Sequence, residues 1–147
     1  MAFAAAAESQ GAARWLYATL TAHAGLSALV GARVYENLAP QGAALPYVVY
    51  NLVASRPVAA SGGAGLILDE QEWMVRGLAE SGSPADADAL ALQVDGALSG
   101  ATGTATVGAV TYTIMTAQGG EAVRYTELHQ GRRIQHSGRR YRVECHA

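Results

Sequence analysis

The residues best able to do chemistry gather at the C-terminal end. Residues 124–147 hold six arginines against two acids (+4), while residues 1–123 hold four arginines against ten acids (−6), which together give the net charge of −2. All ten basic residues are arginine. A guanidinium is a planar, permanently charged fork suited to carboxylates or phosphates, although a GC-rich genome produces the same bias. Arg132, Arg133, Arg139, Arg140 and Arg142, with Tyr141 among them, could line a phosphate-binding surface. Strand alternation divides that charge. Arg140 and Arg142 share a face with Glu144, while Arg139, Tyr141 and Val143 take the other, and the acidic remainder of the chain repels DNA. A solvated or intersubunit salt-bridging face is the first reading, an acidic protein partner the second, and primary nucleic-acid binding the last.

Other reactive residue types form no site. His23, His129, His136 and His146 lack the i, i+4 spacing and the carboxylate of a zinc site. Cys145 and His146 are neighbours in an expected strand and point to opposite faces, which disfavours a nucleophile and base pair. A lone cysteine forms no internal disulfide and reads as a small, half-buried hydrophobe. Asp86 and Asp88 are explained by a helix start. Ser61 to Gly65 lacks the Lys-Ser/Thr and the following helix of a phosphate loop. No catalytic residue, metal or cofactor is expected.

The elements that must carry these residues are legible from periodicity. Residues 11–24 place Ala13, Leu16, Tyr17, Leu20 and Ala24 on one helical face, and residues 1–10 are expected to be frayed. Gly31 ends the helical region. Tyr47 to Ala54 is apolar on both alternating faces, as in a central strand or one covered by a neighbouring subunit. Arg56 to Leu68 is too glycine-rich for regular structure in its middle, and is expected to be a mobile loop or an extended hairpin tip. Glu70 to Leu78 alternates, with Trp73 and Val75 opposite Glu72, Met74 and Arg76. Ser83 as N-cap, Pro84 at the first helical position and two aspartates then open a second helix with a stripe of Ala87, Leu90, Ala91, Val94, Ala97 and Leu98, ended by Gly100. The remainder is β in pattern: a hairpin around Gly108, a strand from Glu121 to Leu128, and one or two strands over Arg132 to Cys145 broken near Ser137-Gly138. An α+β fold follows, with two helices packed on a mostly antiparallel sheet in a single domain spanning 1–147.

Half the residues are hydrophobic, but alanine and 17 glycines carry much of the composition, so side-chain bulk is modest and a subunit stabilised by assembly fits. The N-terminal MAFAAAAESQ has no basic region and too short an apolar run for a signal peptide or membrane span. The expectation is a soluble protein that is not exported by the usual route.

The order of these elements resembles the tail terminator (tail-completion) proteins of long-tailed bacteriophages. The stretch LVGARVYENLAPQGAALPYVVY from Leu29 to Tyr50 matches their helix, "VG-R-Y" step, "P-Q" loop and "PY-VY" strand. Glu70 to Val75 corresponds to a "Q-Q-V-D-V" type strand, Ala89 to Leu98 to an "A-LA--V--AL" helix, and Arg140 to Val143 to a closing "Y-V" strand. The glycine-rich loop and the arginine-rich end depart from the pattern.

The resemblance implies a non-enzymatic structural subunit of the virion, assembled in the host cytoplasm. It forms a homo-oligomeric ring, usually hexameric, which caps the head-proximal end of the tail tube, stops polymerisation and presents the head-joining surface. The implied partners are its own copies, the major tail tube protein and a head–neck connector protein, with DNA only in passage through the lumen and no membrane. A head-closure or neck connector ring subunit is the alternative, with a small hydrolase or nucleic-acid-binding module behind it. The apolar strand and the opposed charges suit a heterologous interface, with Tyr47, Val49, Tyr50, Asp69, Glu70, Glu72, Arg139, Arg140 and Arg142 as candidate interface residues. Across subunits the arginines are expected to pair with acids from Asp69, Glu70, Glu72, Asp86 and Asp88. Gly62, Gly63, Gly65, Leu66, Ile67 and Leu68 are candidates for a loop docking on a neighbouring ring or tube.

Overall fold

The computed structural model describes residues 4–59, 66–116 and 119–147. The elements in chain order are helix α1 (Ala4–Ala22), helix α2 (Ala24–Val30), strand β1 (Val34–Glu36), β2 (Tyr47–Ala59), β3 (Leu66–Glu80), helix α3 (Ala85–Leu98), and strands β4 (Thr102–Val107), β5 (Val110–Thr116), β6 (Ala122–His129) and β7 (Arg132–His146). The fold is α+β as expected, with three helices rather than two among the described residues.

The extra helix comes from a break at His23, which adopts an extended conformation (φ −78, ψ 113) and leaves α2 as a separate two-turn helix. The N-terminal residues 4–10, expected to be frayed, form the first turns of α1. From Glu8 onward its buried positions are Glu8, Gly11, Ala12, Ala13, Trp15, Leu16 and Leu20, a stripe at i, i+3/i+4 spacing that keeps the expected Ala13, Leu16 and Leu20. That stripe is rotated from the expected one: Trp15 is buried and Tyr17 is exposed, because α1 packs on β4 and β5 as well as on the central strands.

The sheet order is β1-β2-β3-β7-β5-β4, with β6 also paired to β7. One edge of β7 runs antiparallel to β3 along almost its whole length. Its other edge is divided, with Arg132 to Arg139 against β6 and Val143 to His146 against β5. Only β1 joins in parallel, to Val48–Tyr50 of β2. The expected break near Ser137-Gly138 is absent: β7 is a single strand, and Gly138 serves close approach instead, since a Cβ there would lie 2.0 Å from the Val75 carbonyl oxygen. The hairpin around Gly108 is as expected, Val107 pairing with Val110 across a turn with Gly108 at φ 61.

The helices cover one face of the sheet, here the inner face. Trp73, Val75, Tyr141, Val143 and Cys145 meet Leu16, Leu20, Leu90, Val94 and Leu98 there in one sealed cluster. α3 can lie close to β3 because Gly77 has no side chain; a Cβ would sit 2.4 Å from that of Leu90. The helix starts one residue later than expected, with Pro84 at the N-cap position and Ser83 just before it, where its Oγ accepts from the Ala85 N–H at 3.3 Å.

Candidate assembly surface

The opposite, outer face carries the charged residues, because alternation along β3 and β7 sends Trp73, Tyr141 and Val143 inward and their neighbours outward. The β3–β7 register sets Glu72 opposite Arg142 and Glu70 opposite Glu144. Glu70 takes Arg56 and Arg142 at 2.7 Å each, Arg142 also reaches Glu144 at 3.2 Å, and Arg140 lies 3.7 Å from both Glu72 and Glu121. The hydrogen bond from Arg56, joined by Arg142, holds the Glu70 carboxyl below its usual range. Exposure of these side chains runs from 22% at Glu70 to 78% at Glu121, so water screens each pair and its contribution is small.

Of the acids expected to meet a neighbour's arginines, Glu70, Glu72 and Asp88 have arginine partners within the chain, while Asp86 is exposed on α3. Arg124 binds Asp88 through two bonds at 3.1 and 2.9 Å, and Ser137 Oγ donates to the same carboxylate at 2.7 Å. Arg132 pairs with Glu80. Asp69 is wholly buried and accepts from Gln71 Nε2 at 2.8 Å, while Gln71 in turn accepts from Trp73 Nε1. It offers no surface to another subunit. Val49 and Tyr50 are also buried within the chain and Tyr47 is half-buried, so the exposed part of β2 begins at Leu52. Arg139 is exposed in the middle of β7, between Val75 and Ala122 and beside Gly119. Gly62, Gly63 and Gly65 lie outside the described residues. Leu66 and Leu68 are strand residues paired with Ala59 and Val58, so both flanks of this stretch are strand.

At the other end of the outer face lies a cluster that sequence reasoning missed. The β6–β7 register brings Tyr125 opposite His136; their rings stack at 4.3 Å, the Arg76 guanidinium donates to the Tyr125 hydroxyl, and His136 Nε2 is 2.8 Å from Glu127 Oε1. Burial lowers the His136 pKa, against the raising effect of Glu127. Val49, Leu78 and Ile134 form a small apolar cluster below, with Tyr47 packed against it. A groove of about 520 Å³ opens above them, bordered by Leu38, which is 83 % exposed. The legible signal was the Gln130-Gly131 turn: closing it as a tight hairpin pairs 129 with 132, and so 125 with 136.

The inner face holds its own titratable group. Glu8 is 3 % exposed and its carboxyl is raised to about 7 by burial, with Asp69 adding to the effect. Cys145 is fully buried rather than half-buried; its Sγ–H donates to the Glu8 carbonyl at 3.7 Å, and burial pushes the thiol up to about 12. It is protonated and shielded, the reverse of a nucleophile. Among the described residues no group of three His, Cys, Asp or Glu is arranged to hold a metal, and no helix is long and apolar enough to cross a membrane.

The family described as Tail completion protein gp17 matches residues 14–146, from the middle of α1 to the end of β7. The chain belongs to the tail-completion family. As a member it is a structural tail protein, and the sheet and helices described above are this family's domain over nearly the whole chain. Among solved structures, this tail-completion chain is similar to a chain of "Virion of native gene transfer agent (GTA) particle", with 25% identity, a TM-score of 0.58, and 93% of this chain and 97% of that one covered. No curated protein matches it.

Proposed function

We propose that this protein caps the head-proximal end of a phage tail tube as a homo-oligomeric ring, a hexamer, stops tube polymerisation and provides the head-joining surface. Its partners are further copies of itself, the major tail tube protein on one side and a head–neck connector on the other, with DNA passing through the lumen. It acts in the virion, without catalysis. The observation that carries this reading is coverage: the family spans residues 14–146, and the chain of the virion particle is matched over 97% of its own length, so little of either chain lies outside the shared domain. An outer face built of exposed, individually weak ion pairs fits a surface that exchanges partners at low cost.

The reading is tested by deleting the gene and restoring it in trans. Overlong tails without heads are expected in its absence, and tails of normal length joined to heads on restoration, both seen by electron microscopy. Headless tails of normal length would instead assign the protein to the neck, as a head-closure subunit.

A further inference from the structure

Besides the end strands β1 and β4, two strands of the sheet have an edge left over among the described residues. Beyond Tyr50 the outer edge of β2 is paired with no strand among the described residues, because β1 stops after three positions. β6 pairs with β7 on one side over eight residues without a register shift, and on its other side with nothing described. Its residues are exposed almost throughout, Tyr125 and Leu128 at 44% and 72%. Such an edge is a row of unpaired N–H and C=O groups ready for another strand.

Resting on the ring reading above, we infer that adjacent copies join by β-sheet addition, the β6 edge of one copy pairing antiparallel with the β2 edge of the next. Three observations support it. First, β2, β3, β7 and β6 follow one another as antiparallel neighbours, so β2 and β6 run in opposite directions and a following copy's β2 meets β6 antiparallel. The remaining free edge, β4, runs the same way as β2, would pair only in parallel, and has its Thr106 carbonyl taken by Arg14 at 2.7 Å. Second, the faces agree. Arg56, bound to Glu70, and Tyr125 and Glu127, bound around His136, all project from the outer face. Setting Arg56 opposite the neighbour's Glu127 keeps them on it. Third, that register is chemically complementary: Arg56 and Glu127, with side chains 75% and 48% exposed, form an ion pair, and Val58 falls opposite Tyr125, a favourable β-branched and aromatic pair. The irregularity between Leu52 and Ala54 bounds the ladder on one side, and Pro57, which falls opposite Thr126 and brings no N–H, guards the β2 edge against indiscriminate pairing.

Directly opposed strand residues are close enough for a disulfide, and the native Cys145 is buried and does not compete. The test is the double variant Arg56→Cys/Glu127→Cys, oxidised with purified tail tubes that lack this protein, and run on a non-reducing gel. A ladder of covalent oligomers beyond the dimer is expected, with each single variant stopping at dimer. As a second measurement, Glu127→Arg should raise the concentration for half-assembly at least about tenfold, and Arg56→Glu/Glu127→Arg should return it to within about threefold of the native value. Rings visible by electron microscopy but no ladder would overturn the strand addition and leave the ring reading standing. A ladder from Arg56→Cys/Thr106→Cys would move the junction to β4. Native protein that never assembles on tubes would remove the ring reading and this inference with it.

Discussion

The two faces of the sheet are built from the same strands and obey different rules. The inner face is sealed by three helices: its aromatic and aliphatic side chains are close to fully buried, and Gly77 lets α3 close directly onto β3. The outer face holds a ladder of exposed ion pairs and a small aromatic–histidine cluster beside an open groove. Hydrophobic burial and packing on one side make the domain fold. The other side buries only a small apolar cluster of Val49, Leu78 and Ile134 beside His136, and leaves most of its charged side chains in contact with water.

The sharpest way to break this comparison is to damage the two faces separately. Trp73→Ala removes the largest fully buried side chain of the inner face and is expected to cost about 3–5 kcal/mol in chemical denaturation. Gly138→Ala forces a methyl group against the backbone of β3; with no flexible side chain there to yield, a loss of at least about 2 kcal/mol is expected. A near-neutral result for Trp73→Ala would mean that the sheet and helices are less tightly joined than the geometry requires, and one for Gly138→Ala would say the same of β3 and β7.

The buried titratable groups sharpen the comparison, because they respond to pH with opposite sign. Glu8 is held neutral: its folded-state pKa of about 7 lies above the ordinary 4.5, so its contribution is fully present below about 4.5 and is lost as pH rises through 7. Asp69 is raised as well and acts in the same direction. His136 is lowered from 6.5, so its neutral form favours the fold, and stability is lost as pH falls below that value. Thermal unfolding followed from pH 4 to 8 should show Glu8→Gln flattening the loss toward neutral pH, and His136→Gln flattening the loss toward acid. Curves that superpose on the native one would place these groups in contact with water.

Smaller effects are expected from the ladder. Arg142→Ala, which removes contacts to Glu70 and Glu144, should change stability by no more than about 1 kcal/mol, while its effect on assembly is read separately by light scattering. A loss as large as that of an inner-face variant would make the ladder part of the folding core. Cys145 should stay unreactive toward a thiol reagent until the protein unfolds, which stopped-flow labelling can follow.

Much of this was legible before any tertiary structure. The second helix, its stripe of Leu90, Val94 and Leu98, the alternation of Trp73 and Val75 against Glu72 and Arg76, and the Gly108 hairpin depend on period and turn chemistry, which are local properties. The family was legible too, since its pattern is a succession of such local signals. Errors arose where a residue's role depends on a distant partner. Gly138 reads as a breaker until β3 is laid against it. Asp69 reads as a surface acid until α1 covers it. Val49 and Tyr50 read as intersubunit residues until both faces of β2 are found to be filled from within the chain.

The sequence by itself determined which residues alternate, where helices start and stop, and that opposite charges occupy different parts of the chain, because these follow from spacing along one polymer. Which arginine meets which acid was decided only when β3, β6 and β7 took their registers. A shift of one residue would turn every side chain to the other face, and neither charge nor composition records that choice. The partition of the molecule into a face sealed by helices and a face largely open to solvent is therefore a tertiary property, set by which side of the sheet the helices cover.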